Sequence, residues 1–152
     1  MGLLVSSCVK VSEFDESIFF DMENHHMGKD VEYIFKPFEK LSEEKCKGKF
    51  FLVELAVRYS DICDLQSLPL DIEYASLAHD SIKNLRILMP LFNEADEMQG
   101  KGNFGVFQSG QILLKKQPYE EGFFISVSSP VEDTQGIVSL GITLKESKTI
   151  DN

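Results

Sequence analysis

The cysteine at position 8 has the sequence surroundings that most clearly indicate a chemical modification. An apolar run, Leu3–Val5, is followed by the small residues Ser6 and Ser7 and then by Cys8. Apolar residues that lead into small residues are typical of the end of a secretory signal, and in bacterial lipoproteins the cysteine that follows is lipidated. We therefore predict that Cys8 is a lipidation site through which the chain is held at a membrane.

The apolar part of this signal is short, because a complete secretory signal has a basic region and about 7–15 apolar residues. We interpret the start of the chain as the end of a truncated lipoprotein signal. Two alternatives stay open from these residues alone. Residues 1–6 also fit the N-myristoylation pattern, with Cys8 as a palmitoylation candidate, and the segment also fits an apolar terminus without a lipid.

The other two cysteines, Cys46 and Cys63, lack the spacing of a metal site, because no CxxC or HxxxH pattern accompanies them. In an oxidising compartment the two thiols could form a disulfide. The interpretation that we favour is two separate, half-buried thiols. The sequence leaves both possibilities open.

The chain has three histidines, and none lies in a pattern that predicts catalysis. His25 and His26 are neighbours, and neighbouring side chains of extended backbone point to opposite faces, which disfavours a shared metal ion. His79 has the surroundings of a solvated turn residue. The sequence contains neither a GxSxG nor an HExxH pattern. We therefore predict no catalytic residue, no metal site, no cofactor and no enzymatic activity.

Four carboxylates, Asp61, Asp64, Asp71 and Glu73, lie close together in the sequence. Since Ca²⁺ takes several oxygen ligands, they are a candidate calcium site. No D-x-[DN]-x-[DN]-G loop supports that site, and we interpret them as a solvated edge. The glycines of residues 100–105 lack the spacing of a phosphate-binding loop and indicate backbone with positive φ between strands.

Composition excludes several classes of partner. The chain has 152 residues, a net charge of −10 and 43% hydrophobic residues, which is consistent with one domain of ordinary core size. An acidic chain without a basic stripe is a poor ligand for nucleic acid or for an anionic bilayer surface. No apolar run approaches the length of a membrane span. We predict no nucleic-acid partner, and membrane attachment only through a lipid.

Short alternating runs predict an all-β fold with about eight strands. The run Lys49–Ser60 is apolar on both faces in its first half, which predicts a central strand. Because it contains Pro69, the run Leu68–Ala75 is predicted to be an edge strand and is a candidate docking surface. Ser109 and Gly110 indicate a hairpin turn. The remaining strand-like runs are Val31–Phe35, Ile82–Phe92, Phe104–Gln108, Gln111–Lys115, Gly122–Ser128 and Ile137–Lys145.

These runs predict a single antiparallel β-sandwich. We place the sandwich at residues 31–147, after a signal end and extended leader at residues 1–30 and before a polar tail at residues 148–152.

Several segments, in this order along the chain, resemble the gliding-motility lipoprotein GldH family of Bacteroidetes. They are Leu4–Cys8, Phe51–Tyr59, Leu68–Ile72, the glycine loop at residues 100–105, Glu121–Ile125 and Gln135–Ile142. The resemblance implies a lipoprotein of the cell envelope, on its periplasmic or surface side, that is accessory to gliding and its secretion machinery. It implies envelope protein partners and carries no catalytic site to transfer to this chain.

A second class of function competes with this one. A β-sandwich of the envelope can also bind carbohydrate or calcium, and sugar faces commonly stack on aromatic rings. The chain has no Trp, so Tyr59, Tyr74 and Phe107 are the candidate stacking residues.

Overall fold

The structure, a computed structural model, describes residues 15–75, 82–92, 101–103 and 105–147. Its regular structure is nearly all β-strand, with antiparallel pairing, which confirms the predicted all-β sandwich class. The strands are β1 (Asp15–Asp21), β2 (His26–Met27), β3 (Tyr33–Phe35), β4 (Phe50–Ser60), β5 (Ser67–Ala75), β6 (Lys83–Pro90), β7 (Lys101–Asn103), β8 (Val106–Pro118), β9 (Phe124–Ser128), β10 (Thr134–Gln135) and β11 (Ile137–Glu146). A 3-10 turn at Glu23–His25 and a short helix α1 at Glu43–Cys46 lie between strands.

The strand order is that of a jelly roll. The first sheet runs β1-β11-β4-β8-β7 and the second runs β3-β9-β5-β6, while β2 and β10 form a separate two-stranded ladder. If the eight principal strands, without β2, β7 and β10, are numbered along the chain, the sheets read 1-8-3-6 and 2-7-4-5. Two Greek keys wound in this way define the double-sheet jelly roll.

Alternation along β4 explains why this strand lies at the centre of the first sheet. Every second side chain from Phe51 to Tyr59 is fully buried, and the strand has neighbours on both sides, β11 and β8. The prediction of a central strand is confirmed. The second sheet supplies the facing layer through alternate side chains of β5 and β9, which are buried as well. They are Leu68, Leu70, Ile72, Ile125 and Val127.

The predicted domain start at residue 31 is too late. Residues 15–21, which the sequence pattern assigns to a leader, form β1 and pair along their whole length with β11, while His26 and Met27 pair with β10. Ile18 and Phe20 alternate as in any edge strand, but the adjacent Phe19 hides this period in the sequence. Residues 1–14, and the predicted tail at 148–152, lie outside the described residues.

The predicted hairpin turn at Ser109 and Gly110 is wrong, because β8 runs straight through both residues. Gly110 lies opposite Ala56 in the ladder, and a Cβ built on it would come within 2.7 Å of the Glu54 carboxylate. Glycine is therefore present because the Glu54 side chain approaches the backbone closely, and not because the chain turns here. At Gly105 and Gly122, by contrast, φ is +81° and +83°, as expected for connections between strands.

The predicted edge position of β5 is also wrong, since β5 lies between β9 and β6. Pro69 is tolerated because the ladder with β9 begins only at Asp71, so the missing N–H of Pro69 interrupts no pairing. The Pro69 carbonyl instead accepts a hydrogen bond from Ser129 Oγ at 2.9 Å. The candidate docking surface predicted on this strand is therefore not a sheet edge.

Candidate functional site

The two sides of the sandwich differ in how the sheets meet. On one side, which we call the open side, the edge strands are β1 and β3, and a groove of about 340 Å³ lies between them. The lining is mostly apolar, with charged side chains at the rim. The lining residues are Glu16, Ser17, Ile18, Phe20, Ile34, Phe35, Lys36, Pro37, Glu39, Lys40, Leu41, Ile142 and Leu144.

The inner face of β1 contributes the apolar part of this groove. Ile18 and Phe20 lie opposite Ile142 and Leu140 of β11, so they are on the face that looks toward the second sheet. Ile18 is nevertheless 36% exposed, so an apolar side chain of the inner layer is left partly in water. Ile34, which also lines the groove, is 47% exposed but lies opposite Ser126 on the outer face of the second sheet.

The outer backbone edge of β1 is unpaired among the described residues. Met22 N–H donates to the Val138 carbonyl at 2.9 Å, which continues the register of Phe20 with Leu140. Because hydrogen-bonded pairs alternate in an antiparallel ladder, Phe20, Ile18 and Glu16 also bond to β11. The N–H and C=O groups of Ser17 and Phe19 therefore point away from the sheet.

On the other side, which we call the latched side, polar side chains join the sheets. Tyr59 of β4 is fully buried and its hydroxyl donates to the Leu91 carbonyl at 2.8 Å, while Ser109 Oγ donates to the Pro90 carbonyl at 2.8 Å. The Tyr59 ring also packs against Phe92 and Phe107, with centroids 5.7 and 6.0 Å apart. Leu91 and Phe92 follow β6, so these contacts fasten the end of β6 to the first sheet.

A second cavity, an open cleft of about 720 Å³, lies beyond the end of β1. It contains His25 and His26, and Tyr33 lies in its wall. Burial raises the pKa of the Tyr33 hydroxyl above its ordinary value. The residues that line it are Glu23, Asn24, His25, His26, Gly28, Val31, Tyr33, Ile62, Gln135 and Gly136.

The backbone around this cleft is unusual. Asn24 and His25 have φ of 55° and 53°, and Asp30 has φ of 56°, in the left-handed region that non-glycine residues adopt at a cost. The strain at His25 is held in place because its carbonyl accepts a hydrogen bond from Gly136 N–H at 2.9 Å. Sequence reasoning predicts a loop at these residues but misses the cleft, since its walls come from four separate parts of the chain.

The four carboxylates that were the candidate calcium ligands do not form a metal site among the described residues. Asp61 and Asp64 are exposed in the loop after β4, whereas Asp71 pairs with Arg86 through two hydrogen bonds of 2.5 and 3.0 Å. These bonds hold the pKa of Asp71 below its ordinary value. Within the described residues, no three His, Cys, Asp or Glu side chains form a group that could hold a metal ion. His79 lies outside those residues.

Cys46 and Cys63 are both buried and free. They flank β4, an eleven-residue strand that is about 35 Å long, so their Cα atoms lie far beyond the reach of a disulfide. Burial raises the pKa of both thiols. This agrees with our interpretation of two separate thiols, which are more deeply buried than predicted.

The three candidate stacking residues differ in burial. Tyr59 is fully buried, so it cannot stack on a sugar ring. Tyr74 and Phe107 are partly buried and pack against the core.

The predicted lipidation site, Cys8, lies outside the described residues. Among the residues that the structure does describe, no helix has the length and apolar character of a membrane span.

Comparison with known proteins adds one structural neighbour. No protein-family profile and no curated protein matches the sequence. Among solved structures, the chain is similar to the one titled "Structure of Eiger TNF from S. frugiperda", with a TM-score of 0.46 and 9% sequence identity. That alignment covers 86% of this chain and 92% of the other. The jelly-roll assignment rests on the strand order of this chain itself.

Proposed function

We propose that this protein is a non-enzymatic, lipid-anchored β-sandwich module of the bacterial cell envelope. It serves as an accessory or assembly component of a gliding-motility or secretion-type machinery, and Cys8 carries its lipid. The observation that supports this proposal is the ordered resemblance to the GldH lipoproteins. Two of its segments lie within β4 and β5, and two others reach into β9 and β11, which are all interior strands of the two sheets. The likeness therefore includes the framework of the domain.

The position of Cys8 relative to β1 suits a short tether. Only residues 9–14 separate Cys8 from Asp15, where β1 begins, and an extended chain of that length spans at most about 25 Å. A lipid on Cys8 therefore holds the domain close to the bilayer. The acidic domain does not have to bind the membrane itself, which fits its net charge of −10.

Intact-mass spectrometry of the native, full-length protein from its own cells tests the anchor. The proposal expects a diacylated or triacylated cysteine at the mature N-terminus and recovery of the protein in the membrane fraction. A Cys8→Ser variant is expected in the soluble fraction, whereas Cys46→Ser, the matched control, stays in the membrane fraction. An unmodified Cys8 in a retained N-terminus would refute the lipoprotein assignment.

Affinity capture of the anchored protein from native envelopes, after chemical cross-linking, tests the role in an assembly. The expected result is recovery of envelope proteins of the gliding or secretion machinery, lost when the Cys8→Ser variant is used. Recovery of the same partners by both variants would separate partner binding from membrane anchoring.

The cleft beyond β1 favours a second candidate function, the binding of a carbohydrate. Its volume is that of a small-ligand site, and it combines an aromatic ring at Tyr33 with amide groups at Asn24 and Gln135. Tyr33 is partly buried like Tyr74 and Phe107, but it is the one of the three that lines this cleft. A glycan array followed by titration calorimetry tests this function, with Tyr33→Ala expected to abolish binding and Tyr74→Phe expected to retain it. An array without a specific signal would remove this candidate.

A further inference from the structure

We propose that the outer edge of β1 binds an extended, basic-ended segment of a partner protein by strand addition, and that the groove of the open side receives its apolar side chains. This inference deepens the proposed function and rests on it for the statement that the domain has protein partners. It names the surface that meets the partner and the chemistry that the partner must have.

The backbone of β1 supplies the first part of the argument. Ser17 and Phe19 direct their N–H and C=O groups away from β11, with no hydrogen-bond partner among the described residues. A strand placed alongside β1 satisfies these groups and continues the ladder of the first sheet. β1 offers seven residues for this pairing, whereas the facing edge strand β3 has three.

The groove supplies the second part. An added strand continues the inner layer of the sandwich, so alternate side chains of the partner lie beside Ile18 and Phe20. There they cover the exposed part of Ile18, which is 36% accessible, and of Phe20, which is partly buried. On the latched side the edge strand β6 is also unpaired on its outer side among the described residues, but its inner side chains Ile87 and Met89 are only 6% and 0% exposed. An added strand would therefore cover little apolar surface there.

The charged residues of β1 indicate which kind of partner strand can bind beside it. Glu16 and Asp21 place a carboxylate near each end of β1, and the sequence of this strand contains no basic residue. Neither carboxylate forms a salt bridge with another described residue. The two lysines of the groove, Lys36 and Lys40, belong to the segment after β3 together with Glu39, so they lie across the groove from the edge that pairs. Lys or Arg near both ends of the partner segment therefore complements this edge.

The acidic residues of β1 also disfavour a second copy of this chain as the occupant. In an antiparallel pair of β1 strands that joins Ser17 to Phe19, position Asp15 of one copy would lie opposite Asp21 of the other, and like charges opposite each other are destabilising. The net charge of −10 adds a long-range repulsion between copies. A basic segment of another protein is attracted by the same field.

A designed peptide tests the proposal directly. The peptide KVTVTKK, aligned antiparallel to β1, places Val beside Ile18 and Phe20 and Lys beside Glu16 and Asp21. Fluorescence anisotropy with the labelled peptide and the full chain is expected to show affinity about tenfold higher than for EVTVTEE. The charge-reversed variant E16K/D21K is expected to invert this preference.

A proline substitution distinguishes backbone pairing of the peptide with β1 from electrostatic attraction between the peptide and the domain. Ser17→Pro removes an N–H that points away from β11, so the ladder inside the sheet is retained and the affinity for KVTVTKK is expected to fall about tenfold. Ser17→Ala is the matched control, because it keeps the N–H and loses only the hydroxyl contact with Thr143 Oγ1. Far-UV circular dichroism and the melting temperature of both variants confirm that they fold.

Equal peptide binding by the wild type and Ser17→Pro would overturn the proposal, as would a lack of preference between the two peptides. A concentration-dependent dimer that Ser17→Pro abolishes would assign the edge to a second copy and overturn the partner chemistry. These outcomes are independent of the lipid, because the peptide assay is unchanged whether Cys8 is acylated or not. Failure of the anchor assignment therefore leaves this test intact.

Discussion

The open side and the latched side of this jelly roll solve the same physical problem in opposite ways. Every sandwich has two sides at which its sheets end, and the inner layer must be protected there from water. On the latched side, the buried Tyr59 hydroxyl and Ser109 Oγ bond to carbonyl groups at the end of β6. On the open side, Ile18 remains partly exposed beside an unpaired backbone edge. The difference indicates that the latched side holds the fold together and that the open side is available for contact.

The largest expected effect is the loss of the Tyr59 side chain on the latched side. Tyr59→Ala removes a fully buried ring that packs against Phe92 and Phe107, and we expect the free energy of unfolding to fall by about 3–5 kcal/mol. Urea denaturation followed by circular dichroism measures this change. A loss as small as that of a surface substitution would mean that the latch contributes little to the fold.

A smaller effect is expected when only the hydrogen bond of the latch is removed. Tyr59→Phe keeps the ring but leaves the Leu91 carbonyl without this donor, so we expect a loss of about 1–2 kcal/mol. Ser109→Ala, which removes the neighbouring bond to the Pro90 carbonyl, provides the second arm of a double-mutant cycle. Strict additivity of the two losses would show that the two bonds act independently.

On the open side, truncation of Ile18 is expected to change stability little. Ile18 is 36% exposed, so Ile18→Ala should lower the free energy of unfolding by less than about 1 kcal/mol. The same variant should weaken binding of the peptide KVTVTKK. A stability loss comparable with that of Tyr59→Ala would contradict the contrast between the two sides.

The smallest expected effect lies on the outer face of the second sheet, away from both sides. Arg86 lowers the pKa of Asp71, so the pair adds stability above the pKa of unfolded aspartate, and this contribution is lost as pH falls through the folded pKa. Because the side chains of Arg86 and Asp71 are 61% and 38% exposed, solvent screens the pair and its contribution is small. Melting temperatures of wild type and Asp71→Asn, measured from pH 7 to pH 3, should converge at the acid end. A difference in melting temperature that stays constant with pH would show that the Asp71–Arg86 pair is not the source of the pH dependence.

The sequence predicts the strands in which one face is continuously apolar. The alternation in Phe51–Tyr59 and in Leu68–Tyr74 identifies β4 and β5 and the faces that they bury. Two elements escape prediction for local reasons. In β1, the adjacent Phe19 and Phe20 conceal the alternation of buried and exposed residues. At Gly110 the sequence suggests a turn, whereas glycine is present because the side chain of Glu54 lies against it.

The candidate sites are harder to predict than the strands, because each is assembled from distant segments. The groove joins β1 to β3 and β11, and the cleft brings His25 beside Gly136. Neither proximity follows from spacing along the chain, since both depend on how the jelly roll winds. The proposed lipid signal at Cys8 is different, because such a motif would be recognised from consecutive residues without reference to the fold.

The pairing of Asp15 with Lys145 has a practical consequence for the orientation of the molecule. It brings the entry and the exit of the described domain to one end of the first sheet, while the other end of the same ladder, at Asp21 and Ser139, leads toward the cleft. A domain tethered through a lipid on Cys8 would then stand on the bilayer with this entry and exit at its base. On that proposal the cleft of His25 lies at the far end of the first sheet from the bilayer and faces the aqueous space.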